Sequence, residues 1–278
     1  MKSPNPENAE ALEMAIAQAE RDNADIVIAT DPDCDRMGVS VRNAAGEMQL
    51  ITGNQIGSLM AWYRIETLFN QGILNDDNRD HAGLVKTFVT TELQTSIAKK
   101  FGIRCVNTLT GFKYIGEKLG KYEAAIPAEL RENYRELSDK ETRDLRLEHS
   151  TFFVFGGEES YGYLGADFLR DKDGNGAVVM FAELAAYAKS QGLTIPELLD
   201  RLFCEYGYFL EGQHPEKLEG ADGAAKIQAL AGDYSTNPPA EVDGAQVTQV
   251  RDFATQDIDD EEGDRIPKEK MLFLDLAD

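Results

Sequence analysis

Ala24 to Arg42 reads ADIVIATDPDCDRMGVSVR. An apolar run, Ile26-Val27-Ile28-Ala29, leads into three carboxylates at alternate positions, Asp31, Asp33 and Asp35. Arg36 follows at once, and a second apolar run, Met37 to Val41, then leaves. Strand, acidic loop, strand is the reading. The strands fix both ends of the loop, and a tight loop turns alternate carboxylates towards a common point. Three anionic oxygens converging there suit a hard divalent cation that keeps water-filled positions, as magnesium does. A solvated acidic turn is the plainer alternative. The two-residue spacing, the flanking strands and the stiffening Pro32 favour the metal.

Composition bounds what surrounds this loop. A chain of 278 residues can hold one large or two ordinary domains. With 42% apolar and 9% aromatic residues it is globular rather than disordered. Lys and Arg total 28 against 50 Asp and Glu, a formal charge of −22, which argues against nucleic acid as a partner. An anionic substrate must then be held by a few local cations or a metal. Cys34, Cys105 and Cys204 lie far apart with no CxxC pair, which fits a reducing cytoplasm better than a disulfide framework. No apolar run approaches the ~20 residues of a membrane span, so no membrane partner is expected.

Upstream of the loop, Asn5 is suited to cap a helix, with Pro6 at its first position and an apolar stripe of Ala9, Leu12, Ala15, Ile16 and Ala19. An α/β domain should carry more βα units before this one, so the chain is expected to begin inside a domain. Downstream, Glu47 to Thr52 reads as a strand and Gly53 to Phe69 as a helix. The polar stretch Asn70 to His81 reads as a loop leading into a second domain. Strand Leu84 to Val89, helix Glu92 to Phe101, strand Ile103 to Asn107 and a helix opening at Thr110 follow, and this alternation implies a layered sheet with helices packed on it.

Lys121 to Glu148 is charged and helix-prone and reads as a surface insertion. Thr151 to Phe155 is an apolar strand running into Gly156-Gly157. Gly176 to Lys189 is a densely apolar helix, read as well buried, and Thr194 caps the next. Beyond Leu210 the pattern weakens to an Ala-rich helix (224–231), a strand (245–250), six acids between Asp257 and Asp264 read as a solvated linker, and a last strand (271–276).

Three further stretches carry chemistry. Gly157-Glu158-Glu159-Ser160 follows a buried strand, where α/β sheets present ligand contacts. A carboxylate and a hydroxyl side by side can bind vicinal sugar hydroxyls, though a plain turn fits equally. Thr110-Gly111-Phe112-Lys113 sets a hydroxyl, a flexible turn, an aromatic and an ammonium at a helix start, able to hold a phosphate or steer a proton. An ordinary N-cap with a surface lysine is the alternative. Arg170-Asp171-Lys172-Asp173-Gly174 begins like a calcium loop, but its twelfth position is Ala182 instead of a bidentate Glu. Arg170 and Lys172 as anion contacts, with Asp173 capping a helix, is the better reading.

In the chain order 31–36, 110–113, 157–160 and 170–174, these motifs resemble the α-D-phosphohexomutase family, in particular its bacterial phosphoglucomutases. Asp31 to Arg36 is similar to the family's DxDxDR magnesium loop, and Gly157 to Ser160 to its sugar-specificity loop, in which Glu158 and Ser160 grip ring hydroxyls. Thr110 to Lys113 resembles its TG-aromatic-K segment and Arg170 to Gly174 its RxKDG segment. The resemblance implies two layered mixed-sheet αβ domains, the first incomplete. It also implies Mg2+ on Asp31, Asp33 and Asp35, and catalytic roles for Arg36, Lys113 and Lys172. Substrate contacts would come from Thr110, Gly111, Phe112, Gly157, Glu158, Ser160 and Arg170.

The implied reaction moves phosphate between the 1- and 6-hydroxyls of a hexose through glucose 1,6-bisphosphate and a phosphoserine. Which lysine transfers protons stays open, as does glucose against mannose. The family's TASHNP-like phosphoserine loop and RPSGTEPK-like phosphate loop do not occur in this sequence. The expectation is therefore the middle of a mutase, inactive without the remainder of its chain. Residues 1–70 would be part of a second domain with the metal loop, 71–210 a third with the sugar loop, and 211–278 a linker and the start of a fourth. Two other readings compete. One is a haloacid dehalogenase-type magnesium phosphatase with Asp31 as nucleophile and Asp33 as general acid. The other is a non-catalytic module binding metal and sugar phosphate.

Overall fold

Three antiparallel strands carry the acidic loop in the structure, a computed structural model that describes residues 3–214 and 218–277. Strands β1 (Ile26–Thr30), β2 (Met37–Arg42) and β3 (Met48–Ile51) lie in the order β1-β2-β3, and the pair Thr30↔Met37 closes the β1–β2 hairpin on residues 31–36. Period-two alternation sends Met37, Val39 and Val41 of β2 into the core. Helix α1 (Ala9–Asp22) starts later than Pro6 suggests. The Asn5 side chain accepts the Glu7 amide at 3.0 Å, so Asn5 shapes a turn and Asn8 becomes the N-cap residue. Pro6 is buried beneath Gly38, where a Cβ would stand 2.2 Å from the Pro6 carbonyl oxygen.

The second sheet is built from β4 (Ala82–Thr87), β5 (Arg104–Thr108), β6 (Phe152–Gly157) and β7 (Tyr163–Leu164), in the order β5-β4-β6-β7. β4 pairs in parallel with β5 and β6, and β7 returns antiparallel. Helices α3 (Glu92–Phe101) and α4 (Phe112–Ala124) make its crossovers with α5 (Asp139–His149). Between the partners Gly83 and Leu84, β6 carries an extra residue, Val154. This bulge puts Phe153 into the α4-side core and both Val154 and Phe155 into the larger core on the other side. That larger core surrounds α2 (Gly53–Asn70), which packs on α3, β6, α6 (Gly174–Ser190) and α7 (Ile195–Tyr206). Local signals set the ends of these helices. Capping boxes start α2 at Thr52 and α7 at Thr194, and left-handed Gly102 ends α3.

Several expectations need correction. β4 begins and ends two residues earlier than its apolar run, and β6 extends through both glycines. The charged stretch 121–148 is not a mere surface insertion. It contributes Ile126, Tyr134 and Arg146 to the interior, and Arg146, 1% exposed, donates to the Tyr134 hydroxyl and pairs with Asp167, each at 2.7 Å. Its apolar periodicity is weak because this contact is polar. Helix α6 buries only one face, Ala177, Phe181, Leu184 and Ala188, while Val179 is 68% exposed.

Residues from Glu211 onward form a separate unit. It holds α8 (Gly220–Thr236) and the antiparallel strands β8 (Glu241–Val242), β9 (Ala245–Asp252) and β10 (Leu272–Leu276), in the order β10-β9-β8. Its acidic run is a closed turn rather than an open linker. Asp259 bridges to Arg265, and Asp257 pairs with Arg265 at 2.9 Å and Lys268 at 2.8 Å. No helix among the described residues is long and apolar enough to cross a membrane.

The one-sided packing of α6 predicts a contrast measurable by urea denaturation. Phe181→Ala is expected to cost about 3–5 kcal/mol, and Val179→Ala to stay within about 0.5 kcal/mol.

Candidate functional site

The acidic loop is organised by its first carboxylate. Asp31 is 3% exposed, and its Oδ1 accepts the backbone N–H groups of Asp35 at 3.1 Å and Arg36 at 3.0 Å. Its Oδ2 accepts Arg36 Nε at 2.8 Å. Burial pushes the Asp31 carboxyl up, but the bonds from Arg36 and Asp35 outweigh it and hold the pKa below its ordinary value. Arg36 in turn reaches Glu7 at 3.3 Å. Wrapping the loop this tightly puts Cys34 in the left-handed region, φ 57°, with its amide on the Asp31 carbonyl. Asp31, Asp33 and Asp35 each present an oxygen within 4.8 Å of the others. An all-oxygen anionic set has the donor chemistry of a hard cation such as Mg2+, whose bonds of about 2.1 Å would draw the oxygens closer together than that limit. A carboxylate has about four lone-pair sites, so Asp31 keeps one on Oδ2 for a metal.

Residues 170–174 lie against this loop. The Gly174 amide donates to the Cys34 carbonyl at 3.0 Å, and a Cβ on Gly174 would stand 2.5 Å from that oxygen. Only glycine permits the approach. Lys172 Nζ then lies 3.0 Å from Asp35 Oδ2 and 3.0 Å from Asp171 Oδ1, with the Phe112 ring 5.6 Å away. Burial opposes the Lys172 charge, but the two carboxylates raise its pKa above the ordinary value. Asp173 caps α6 through the Gly176 amide at 2.9 Å. Arg170 does not join this group. Its guanidinium is taken by Glu123 and by the Asp167 carbonyl, because its backbone packs on Gly116 of α4 and directs the side chain along that helix.

The turn after β6 closes the third side. Gly157 ends the strand, the Glu158 amide donates to the Gly162 carbonyl at 2.9 Å, and Gly162 bridges to Arg36. The Met37 amide donates to the Tyr161 carbonyl at 3.0 Å, joining this turn to the end of the acidic loop. Glu158 is 7% exposed and accepts the Gly111 amide at 2.8 Å. Burial pushes its carboxyl above the ordinary range despite that bond. Lys172 stands beside it: a Cβ on Gly162 would meet Lys172 Cδ at 2.3 Å and Glu158 Oε2 at 3.7 Å. Ser160 is partly exposed in the same turn.

Gly111, φ 118°, is the N-cap residue of α4 in place of Thr110, which is exposed, and Phe112 is buried. Lys113 is exposed, with its ammonium 4.7 Å from the Tyr114 ring. Asp31, Asp33, Asp35, Arg36, Gly111, Phe112, Glu158 and Lys172 thus form one contiguous cluster, with Gly157 and Ser160 in the turn that carries Glu158. Arg170 is directed elsewhere, whereas the exposed Lys113 folds back so that its Cε lies 3.9 Å from where a Cβ on Gly111 would stand.

A buried polar set behind the cluster escaped the sequence reading. Lys86, fully buried at the end of β4, donates to the Thr90 carbonyl at 3.1 Å, Glu92 at 3.0 Å and Asn107 at 2.7 Å. Thr87 and Thr90 reach Glu159. The available signal was the hydroxyl-rich Lys86-Thr87-Phe88-Val89-Thr90-Thr91, which the apolar pattern alone had absorbed into a strand.

Comparison with known proteins gives the family. Two family models match, described as phosphoglucomutase/phosphomannomutase alpha/beta/alpha domain II over residues 1–46 and domain III over residues 52–130 and 141–206. The second alone covers more than half of the chain. The phosphoglucomutases of Staphylococcus aureus strains N315 and USA300 are each 30% identical over 258 residues, covering 93% of this chain. The chain spans 41% of the length of these relatives. Among solved structures, a putative phosphomannomutase from Thermus thermophilus shares the fold with a TM-score of 0.50 and 21% identity, over 78% of this chain and 41% of that one. The chain belongs to the phosphoglucomutase/phosphomannomutase family.

Proposed function

We propose that this chain carries the metal and sugar loops of a phosphoglucomutase, an enzyme interconverting glucose 1-phosphate and glucose 6-phosphate through glucose 1,6-bisphosphate and a phosphoserine. The observation that carries the reading is the convergence of three carboxylates within 4.8 Å on a loop that Lys172 joins, through Asp35, to the Glu158 turn. Asp31, Asp33 and Asp35 would hold Mg2+, which when bound neutralises charge on a transferring phosphoryl group. Arg36 keeps Asp31 ionised and oriented. Lys172, beside both Asp35 and Glu158, is placed to hold a phosphate oxygen or move a proton at a sugar hydroxyl, with Lys113 the other candidate. Glu158 and Ser160 would grip ring hydroxyls, and Gly111, Phe112, Thr110 and Gly157 would line the ring's approach. An anion contact from Arg170 would first require release from Glu123.

The same reading takes 211–278 as a linker and the start of a fourth mutase domain, while the boundary between the second and third falls earlier than the expected residue 70, since the domain III match begins at residue 52 and α2 packs on α3 and β6. The division of the chain between Leu210 and Glu211 supports the last boundary. Three cysteines far apart in sequence, with no CxxC pair, support a cytoplasmic setting. The remainder of a longer mutase chain would supply the phosphoserine, and this chain would bind without turning over by itself. A phosphatase using Asp31 as nucleophile is disfavoured, because three hydrogen bonds from its own loop leave this carboxylate a single lone-pair site, the one that the metal would take.

Two measurements test the reading. Calorimetric titration is expected to show Mg2+ binding, weakened by Asp33→Asn at least tenfold, roughly the loss seen when even outer-shell partners of a metal are removed. Undiminished binding in that variant would refute the metal assignment. Phosphorus NMR with Mg2+, glucose 1-phosphate and a trace of glucose 1,6-bisphosphate should show no conversion. Appearance of glucose 6-phosphate would contradict the need for a phosphoserine, and free phosphate abolished by Asp31→Asn would restore the phosphatase.

A further inference from the structure

The turn carrying Glu158 and Ser160 is held from behind by groups that the proposed chemistry does not use. Thr87, the last residue of β4, and Thr90 are both buried, with their hydroxyl oxygens 2.8 Å apart. They stand 3.3 Å and 3.5 Å from one oxygen of the Glu159 carboxylate. Each hydroxyl has a single proton. One proton can join the two threonines, and the other is then free to bind the carboxylate. Thr90 is fixed in turn, since its amide donates to the Thr87 carbonyl at 3.1 Å and its carbonyl accepts the buried Lys86 ammonium at 3.1 Å.

The backbone of Glu159 is held as closely as its side chain. Gly53, the first residue of α2, faces the Glu159 carbonyl so tightly that a Cβ there would stand 2.0 Å from the oxygen. The Tyr163 hydroxyl donates to the Gly53 carbonyl at 2.9 Å and ties the far side of the turn to the same helix end. Between these anchors Tyr161 has φ 69°, a left-handed conformation that an aromatic residue keeps only where its surroundings over-determine it.

We propose that Thr87, Thr90 and Glu159 are positioning residues. The hydrogen-bonded hydroxyl pair donates its remaining proton to the Glu159 carboxylate and so holds its sequence neighbours, Glu158 and Ser160, where a sugar ring's vicinal hydroxyls are bound. The inference rests on the assignment of Glu158 and Ser160 to a hexose ring, and it adds that the grip is set by the end of β4. Preorganisation of this kind matters because recognition geometry must hold to within about 0.5 Å.

The test measures binding of glucose 1-phosphate and of inorganic phosphate to the full chain by calorimetry with Mg2+. The variants are Thr87→Val/Thr90→Val, Thr87→Ser/Thr90→Ser and Glu158→Ala, each checked for unchanged circular dichroism. The double valine variant should weaken glucose 1-phosphate roughly tenfold while leaving inorganic phosphate unchanged, and the double serine variant should bind as the parent does. Parent-like binding of glucose 1-phosphate by the double valine variant, with Glu158→Ala impaired, would overturn the positioning role alone. Equal loss of both ligands, or loss of the native spectrum only with valine, would make the threonines structural and overturn it too. No effect of Glu158→Ala would remove the sugar assignment itself, and this inference with it.

Discussion

A carboxylate buried at the turn of a two-stranded hairpin must be satisfied from within its own loop, and Asp31 is in that position. Two backbone amides and the Arg36 guanidinium satisfy it. Meeting that need bends the chain through left-handed Cys34 and turns the Cys34 carbonyl outward to the Gly174 amide. Arg36 is also committed by it, and the residues flanking this arginine take up the Tyr161–Gly162 backbone. The hairpin therefore acts as the hub onto which two distant segments are keyed by main-chain hydrogen bonds.

Main-chain keying has a physical advantage at a polar site. Backbone donors and acceptors cannot change rotamer, so contacts such as Gly174–Cys34 and Met37–Tyr161 fix geometry without costing side-chain entropy. The side chains left over, Lys172, Glu158 and the three aspartates, can then meet a ligand. Their pKa shifts follow from the same arrangement. Burial raises Glu158, whereas burial is outweighed at Asp31 by hydrogen bonds, first the Arg36 amide and then its guanidinium, and at Lys172 by Asp35 and Asp171, so that both favour ionisation.

Much of this was readable locally. The strand–loop–strand reading around Asp31 matches β1 and β2, and the Glu92–Phe101 helix appears with the bounds that a threonine cap and a following glycine imply. What local pattern could not supply was the direction of long side chains. Arg170 looked like an anion contact until the close approach of Gly116 sent it to Glu123. Stretch 121–148 looked superficial because Arg146 and Tyr134 bury polar groups on each other, a contact that hydrophobic periodicity does not register. Lys86 and the Thr87–Thr90–Glu159 set were missed for the same reason, since their partners are contributed by β4, β5 and the turn after β6. The start of α1 was missed because a turn at Asn5 competes with a cap there.

One binding site assembled from four separated segments is what these contacts imply, and amide NMR during a stepwise titration with Mg2+ and then glucose 1-phosphate examines this directly. The account predicts that Asp35, Gly111, Ser160 and Lys172 shift together along one saturable isotherm on addition of the sugar phosphate. Shifts confined to the acidic loop, or different isotherms at the four positions, would contradict it.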